Sequence, residues 1–219
     1  MNVIIRSTIS KLKNEERIFH SEDDLKFSFS FAIKELLPDD YNIRLEKPED
    51  IQMLDRNNVT KIARAPIDII LPRNNGESIP IELKYRTQKL DIIHHGESYH
   101  LAAHGATDVG RFSIRKDIYR IEQFLINNSQ SKHGYVIVIT NDTEYLTDIS
   151  NKKKLDAHFS IHQDAVLNKK DRSWNYSAID NNKYEFIVDE NIWKYKNGTR
   201  KELHWTCRAD CFFILDLTT

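Results

Sequence analysis

Hydrophobic positions recur with a clear rhythm in a few stretches of the chain. Leu25, Phe29, Ile33 and Leu36 fall at helical spacing. With Ser21 as N-cap and Glu22, Asp23 and Asp24 in the first turn, they predict a helix over 21–37, ended by Pro38-Asp39-Asp40. Arg64–Leu71 and Ile79–Tyr85 alternate like strands. Ile114, Ile118, Ile121 and Leu125 predict an amphipathic helix over Ser113–Ile126. Tyr135–Thr140 is an unbroken apolar run, the mark of a strand buried on both faces. The remainder is less regular. Residues 1–20 read as a charged, partly helical lead-in, and 41–64 as polar and irregular with a short strand at Tyr41–Leu45. Residues 89–93 and 98–101 predict a hairpin around His94-His95-Gly96-Glu97, and Glu185–Val188 and Cys211–Leu217 predict late strands. Helix, strands, helix, strand predicts an α/β fold with a central sheet between helices.

Composition narrows the class. With 219 residues, 40% hydrophobic and 30% charged, the chain is long and apolar enough for one domain with a full core. The core is expected over about 19–140, with 141–219 completing the sheet. Thirty-two basic against thirty-three acidic residues give a net charge of -1, so a nucleic-acid partner must be argued from local charge. No apolar run approaches the ~18–20 residues of a membrane span, and the N-terminus lacks the pattern of a signal peptide. Two cysteines make no disulfide framework, so the chain reads as cytoplasmic.

The chemistry concentrates in two strands. In Ile67-Asp68-Ile69-Ile70-Leu71, alternation puts Ile67, Ile69 and Leu71 on one face and Asp68 and Ile70 on the other. In Ile81-Glu82-Leu83-Lys84-Tyr85, Glu82 and Lys84 share a face. Asn74-Asn75-Gly76 suits a three-residue hairpin loop with glycine in the left-handed position. A hairpin centred on Asn75 sets Asp68 opposite Glu82, with Cβ atoms ~4.5–5.5 Å apart. Two carboxylates at that distance repel, and a hard divalent cation with oxygen ligands relieves the repulsion. Lys84 lies two residues further on the same face, within reach of a water or phosphate oxygen at the metal. The solvated face of a sheet can carry the same three charges. Against that stand the apolar residues around them and a third acid: Glu22 shares the apolar stripe of its helix and leans toward this site. The alternative for Glu22 is a plain helix-dipole role.

An acid on an early helix, then Pro66-Ile67-Asp68, then Glu82-Leu83-Lys84, resembles the PD-(D/E)XK nuclease superfamily. Asp108-Val109-Gly110-Arg111, Arg115-Lys116-Asp117 and Arg120-Ile121-Glu122 resemble a stand-alone bacterial branch of it whose members are mostly unassigned. The likeness covers roughly 19–140. It implies a restriction-endonuclease-like mixed sheet and a Mg²⁺-dependent phosphodiesterase site, with Mn²⁺ as substitute. By position, Asp68 and Glu82 would ligate metal, with the Leu83 carbonyl as a further ligand. Lys84 would orient or help deprotonate the attacking water, and Glu22 would complete the shell or hold a second ion. Arg86, Arg111, Arg115, Lys116 and Arg120 are the candidate phosphate contacts, DNA being favoured over RNA. Cutting two strands with one site per chain suggests a homodimer. The competing expectation is an inactive module of the same fold that binds nucleic acid or another partner.

Other constellations carry less. His94, His95, His100 and His104 sit in a hairpin and loop rather than on a helix face, so a transition-metal role is set aside. His204, Cys207 and Cys211 offer three ligands without a fourth. Trp193, Tyr195 and Trp205 read as packing, and Lys152-Lys153-Lys154 and Lys169-Lys170 as solvated loops.

Overall fold

The computed structural model describes residues 1–54, 60–146, 161, 204–206 and 211–218; for 52–54, 60–61, 204–206 and 211–218 this covers the backbone. Among them the elements are α1 (Asn2–Asn14), α2 (Glu22–Lys34), β1 (Arg44–Leu54), β2 (Thr60–Pro72), β3 (Ser78–Arg86), β4 (Leu90–His94), β5 (Glu97–Leu101), α3 (Thr107–Asn127), β6 (His133–Thr140), β7 (His204–Thr206) and β8 (Cys211–Thr218). The fold is mixed α/β. A six-stranded sheet runs β1-β2-β3-β6-β8-β7, and β4-β5 form a separate two-stranded sheet. β3 and β6 are parallel and joined through α3; the other neighbouring pairs are antiparallel. None of the described helices is long and apolar enough to cross a membrane. The predicted strand at Glu185–Val188, the lysine runs, Trp193, Tyr195 and Cys207 lie outside the described residues.

Two apolar layers sandwich the sheet. On one face Ile114, Ile118, Ile121 and Leu125 of α3 pack against Ile67, Ile70, Val136 and Val138. On the other, Ile5, Ile9 and Leu12 of α1 and Leu25, Phe29 and Ile33 of α2 cover Ile69, Leu71, Ile81, Leu83, Tyr135 and Ile137. The helical stripes read from the sequence are therefore the buried ones, except that Leu36 lies past the end of α2 and is 39% exposed. The Ser21 hydroxyl accepts from the Asp24 N–H at 3.1 Å, the expected N-cap.

Three expectations need correction. Residues 44–54 and 60–64 are strand, not irregular chain. Charges at Glu46, Lys47, Glu49 and Asp50 and the proline at 48 hide the pattern, but β1 is an edge strand, where both are tolerated. Second, α3 begins at Thr107, six residues before the apolar stripe becomes regular. Third, Ile67 does not share a face with Ile69. Ile67 packs with Ile70 on the α3 side, so side-chain alternation breaks next to Asp68. Across from that break, between the pairs Leu45↔Ile69 and Lys47↔Ile67, Glu46 has φ 50.

Gly110 explains part of the hidden start of α3. A Cβ there would come within 1.8 Å of the Tyr145 hydroxyl, whose ring is buried. The helix accepts a poor helix former to let this tyrosine approach. Gly110→Ala should therefore destabilise the protein by about 1–3 kcal/mol in urea unfolding. Among the described residues the Tyr145 hydroxyl has no hydrogen-bond partner, so Tyr145→Phe should cost little alone; its ring carbons would still lie 2.8 and 3.1 Å from the added Cβ, so the double variant should recover only part of the loss.

Candidate metal and catalytic centre

The hairpin forms in the register its turn dictates. Gly76 has φ 89, the Arg73 N–H donates to the Glu77 carbonyl at 2.8 Å, and the ladder runs from Pro72↔Ser78 to Ile69↔Ile81. There β2 and β3 part. On a strand, alternate N–H groups face the same neighbour, so the parting leaves the N–H groups of Leu83 and Tyr85 without strand partners. Carboxylates take their place. Asp68 Oδ2 accepts from the Leu83 N–H at 2.8 Å, and Glu22 Oε2 accepts from the Tyr85 N–H at 3.0 Å. The first residue of α2 thus reaches the site, as its place on the apolar stripe predicts.

Glu82 is the most confined member. It projects from a central strand toward α3 and is 0% exposed. Arg120 Nη2 lies 2.9 Å from its Oε2, yet the groups are not aligned as a hydrogen bond, and neither Glu82 oxygen has an aligned donor. Arg120 aligns instead on Asp117 Oδ1 at 2.7 Å. Burial pushes the Glu82 carboxyl well above its usual range; Asp117 and Asp68 push it further, and Arg120 pulls back. For Asp68, burial also acts upward, but the Leu83 N–H, a hydrogen bond from Glu82, and the ammonium groups of Lys84 and Lys26 win and hold its pKa below the usual value. Their environments thus drive the two acids apart, the Glu82 pKa upward and the Asp68 pKa downward.

Lys84 sits at the centre. Its Nζ is 3.2 Å from Glu22 Oε1, 3.3 Å from Asp117 Oδ2 and 3.4 Å from the Leu83 carbonyl. Burial would lower its pKa, but Asp117, Glu22, Asp68 and Glu82 outweigh that and hold it as ammonium. As an ammonium, Lys84 is a hydrogen-bond donor toward the space it shares with Glu22 and Asp117. A second lysine, Lys26, lies 3.5 Å from Asp68 Oδ1 and bonds to Glu46 and Asp23. Burial opposes its charge too, and Glu46, Asp68 and Asp23 overcome it.

Glu22, Asp68, Glu82, Lys84 and the Leu83 carbonyl are brought together, although the ladder ends at Ile69↔Ile81 and the predicted cross-strand pair of Asp68 and Glu82 is not formed. Lys26 and Asp117 were missed, although each had a signal. Lys26 follows Glu22 by one helical turn. Asp117 is an acid on the buried stripe between Ile114 and Ile118, the same anomaly that marked Glu22. The expected phosphate contacts fare worse. Arg111 and Arg115 are only 5% and 7% exposed, and Arg120 is spent on Glu82 and Asp117. Their alternation with apolar residues resembled a solvated face, but that side of α3 lies on the sheet. Arg111 donates to the Glu144 carbonyl. Arg86, half-buried, donates to Ser113 Oγ at 3.2 Å, and Lys116 is half-buried.

The donor set fits a hard divalent ion: carboxylates of Asp68 and Glu82 with a carbonyl beside them, and buried oxygens lacking donors. A native pKa above the unfolded value of about 4.3 means that Glu82 supports the fold below that pH and loses this contribution as pH rises through the native pKa. In EDTA, Glu82→Gln should therefore gain stability relative to the parent as pH is raised from about 4 toward 8. Urea midpoints of the two proteins across that range test this; parallel curves would mean that the Glu82 pKa is not raised in the native protein.

No protein-family model, curated protein or solved structure matches the chain.

Proposed function

We propose that the chain is a metal-dependent phosphodiesterase that hydrolyses nucleic acid, DNA being favoured, on a restriction-endonuclease-like core. The observation that carries this reading is Glu82: a fully buried carboxyl, without an aligned donor among the described residues, facing Asp68 and two residues from the half-buried ammonium of Lys84. Burial disfavours the charged form of such a group, and a bound cation would favour it. Asp68, Glu82 and the Leu83 carbonyl would hold Mg²⁺ or Mn²⁺. When bound, that ion lowers the pKa of its water and polarises a phosphoryl oxygen. The chain does the rest. Lys84, fixed between Glu22 and Asp117, donates a hydrogen bond to an oxygen of the reacting phosphate or water. Lys26 steadies Asp68 from the α2 side, and Arg120 offsets charge at Glu82 and Asp117. Arg86 and Lys116 are the members of the predicted contact set nearest solvent. Two chains, each cutting one strand, would give double-strand cleavage.

A second reading has a specific observation behind it. A guanidinium already stands 2.9 Å from Glu82, so the cluster is partly charge-compensated without metal. On this reading the chain is an inactive module that binds nucleic acid or a partner.

Two measurements separate the readings. Mg²⁺ or Mn²⁺ should support cleavage of linear, circular or single-stranded DNA, and Lys84→Ala or Asp68→Ala should lower the rate by ~100-fold or more with the fold intact. Because burial raises the Glu82 pKa, Mg²⁺ uptake should release protons, visible as buffer-dependent calorimetric heat that Glu82→Gln reduces. Salt-sensitive DNA binding with neither turnover nor ion uptake would favour the inactive module.

A further inference from the structure

The β4–β5 hairpin and the link between α1 and α2 meet away from the acidic centre, and their contact is chemically unusual. The pair His94↔Glu97 closes a two-residue loop, His95-Gly96, with φ 48 and 80. Positive φ at both loop positions defines the hairpin turn that favours Asn, Asp or Gly first. Here an imidazole stands there instead. Across from it Glu16, also non-glycine, has φ 49. Such backbone is strained and concentrates at ligand clamps.

These strained residues bring ligands together. One donor atom each from Glu16, His94 and His95 lies within 4.8 Å of the others. His95 Nε2 is 3.4 Å from Glu16 Oε2, and the two imidazole centroids are 4.1 Å apart. His94 Nε2 lies 2.8 Å from the Glu16 carbonyl. A bond from Nε2–H to that carbonyl fixes the tautomer and presents Nδ1 as the ligand, the usual arrangement around a metal-bound histidine. Glu16 and His95 are exposed, so small rotations can close the set to bond lengths of about 2.0–2.2 Å. The three residues border a cleft of about 670 Å³ whose other walls include Glu15, Asp24 and Glu97 against Arg17. That acidic surplus favours a cation. The remaining histidines of the stretch are engaged elsewhere: His100 with Asp91, and His104 with Thr87.

We infer that Glu16, His94 and His95 form a transition-metal site of the Zn²⁺ class, with solvent completing the coordination. Two imidazoles and a carboxylate suit Zn²⁺, Co²⁺ or Ni²⁺ and not Mg²⁺, which demands oxygen ligands. The ion ties the hairpin to the link that leads into α2. An isolated two-stranded sheet is marginal by itself, so the bridge braces it. The site stands apart from the proposed nuclease centre and does not depend on it.

The test uses the full chain in a Cys207→Ser/Cys211→Ser background, with excess Mg²⁺ to occupy the acidic centre. Zn²⁺ is titrated by calorimetry and Co²⁺ by visible absorption. One equivalent should bind, with Co²⁺ bands of nitrogen-ligated geometry and a rise in Tm. His95→Asn is the decisive variant, since asparagine suits the turn and preserves the fold; it should weaken binding by about 10-fold or more and remove the Tm rise. Glu16→Gln should do the same. No Zn²⁺ uptake by the parent, or unchanged affinity in His95→Asn, would overturn the site.

Discussion

The architecture around the candidate centre follows from one event: β2 leaves β3 after Ile69↔Ile81. A central strand cannot leave its N–H groups unpaired. Here the missing strand is replaced by side chains, Asp68 for Leu83 and Glu22 for Tyr85. Each carboxylate is thereby pinned by a backbone donor and aimed at the same space. Further along β3, the Thr87 N–H bonds to His104 Nδ1 at 3.0 Å. The fork is thus a polar seam in an otherwise apolar sheet, and the charges in it are consequences of the backbone geometry as much as of any ligand.

That seam was half legible in the sequence. Apolar strands interrupted by Asp68, Glu82 and Lys84, with a turn of fixed register between them, were enough to bring the acids together. The stripe of α2 was enough to bring in Glu22. What stayed hidden has a common physical cause. Lys26, Asp117, Arg111, Arg115 and Arg120 are charged residues buried against other charges, and periodicity read from hydrophobicity alone treats every charge as solvent-facing. The same blindness hid β1, a charged edge strand, and the first turns of α3. The histidine turn was dismissed for lacking helical spacing; its ligands converge instead through a third residue, Glu16, seventy-eight positions from His94.

The split between Asp68 and Glu82 also bears on the order of binding. Asp68 is solvent-facing in part and its pKa is held down, while Glu82 is fully enclosed and its pKa is pushed up. A cation held there would be met first by the more exposed Asp68 carboxylate and would favour the charged form of Glu82. Arg120 need not leave, because its aligned partner is Asp117 rather than Glu82.

This link between cation and carboxyl makes sense of a centre so rich in acids that is proposed to hold a polyanion. Glu22, Asp68 and Asp117 face Lys84 and Arg120, and Lys26 is shared between Asp68, Glu46 and Asp23, so the cations already present are fully engaged. Ionising Glu82 without a cation would add negative charge and repel phosphate. Replacing a proton there by a divalent ion would add one net positive charge at the place where the phosphoryl oxygens would sit. Substrate attraction and metal occupancy are then coupled through one buried carboxyl. The buried arginines of α3 do not need to reach the polymer for the site to favour it.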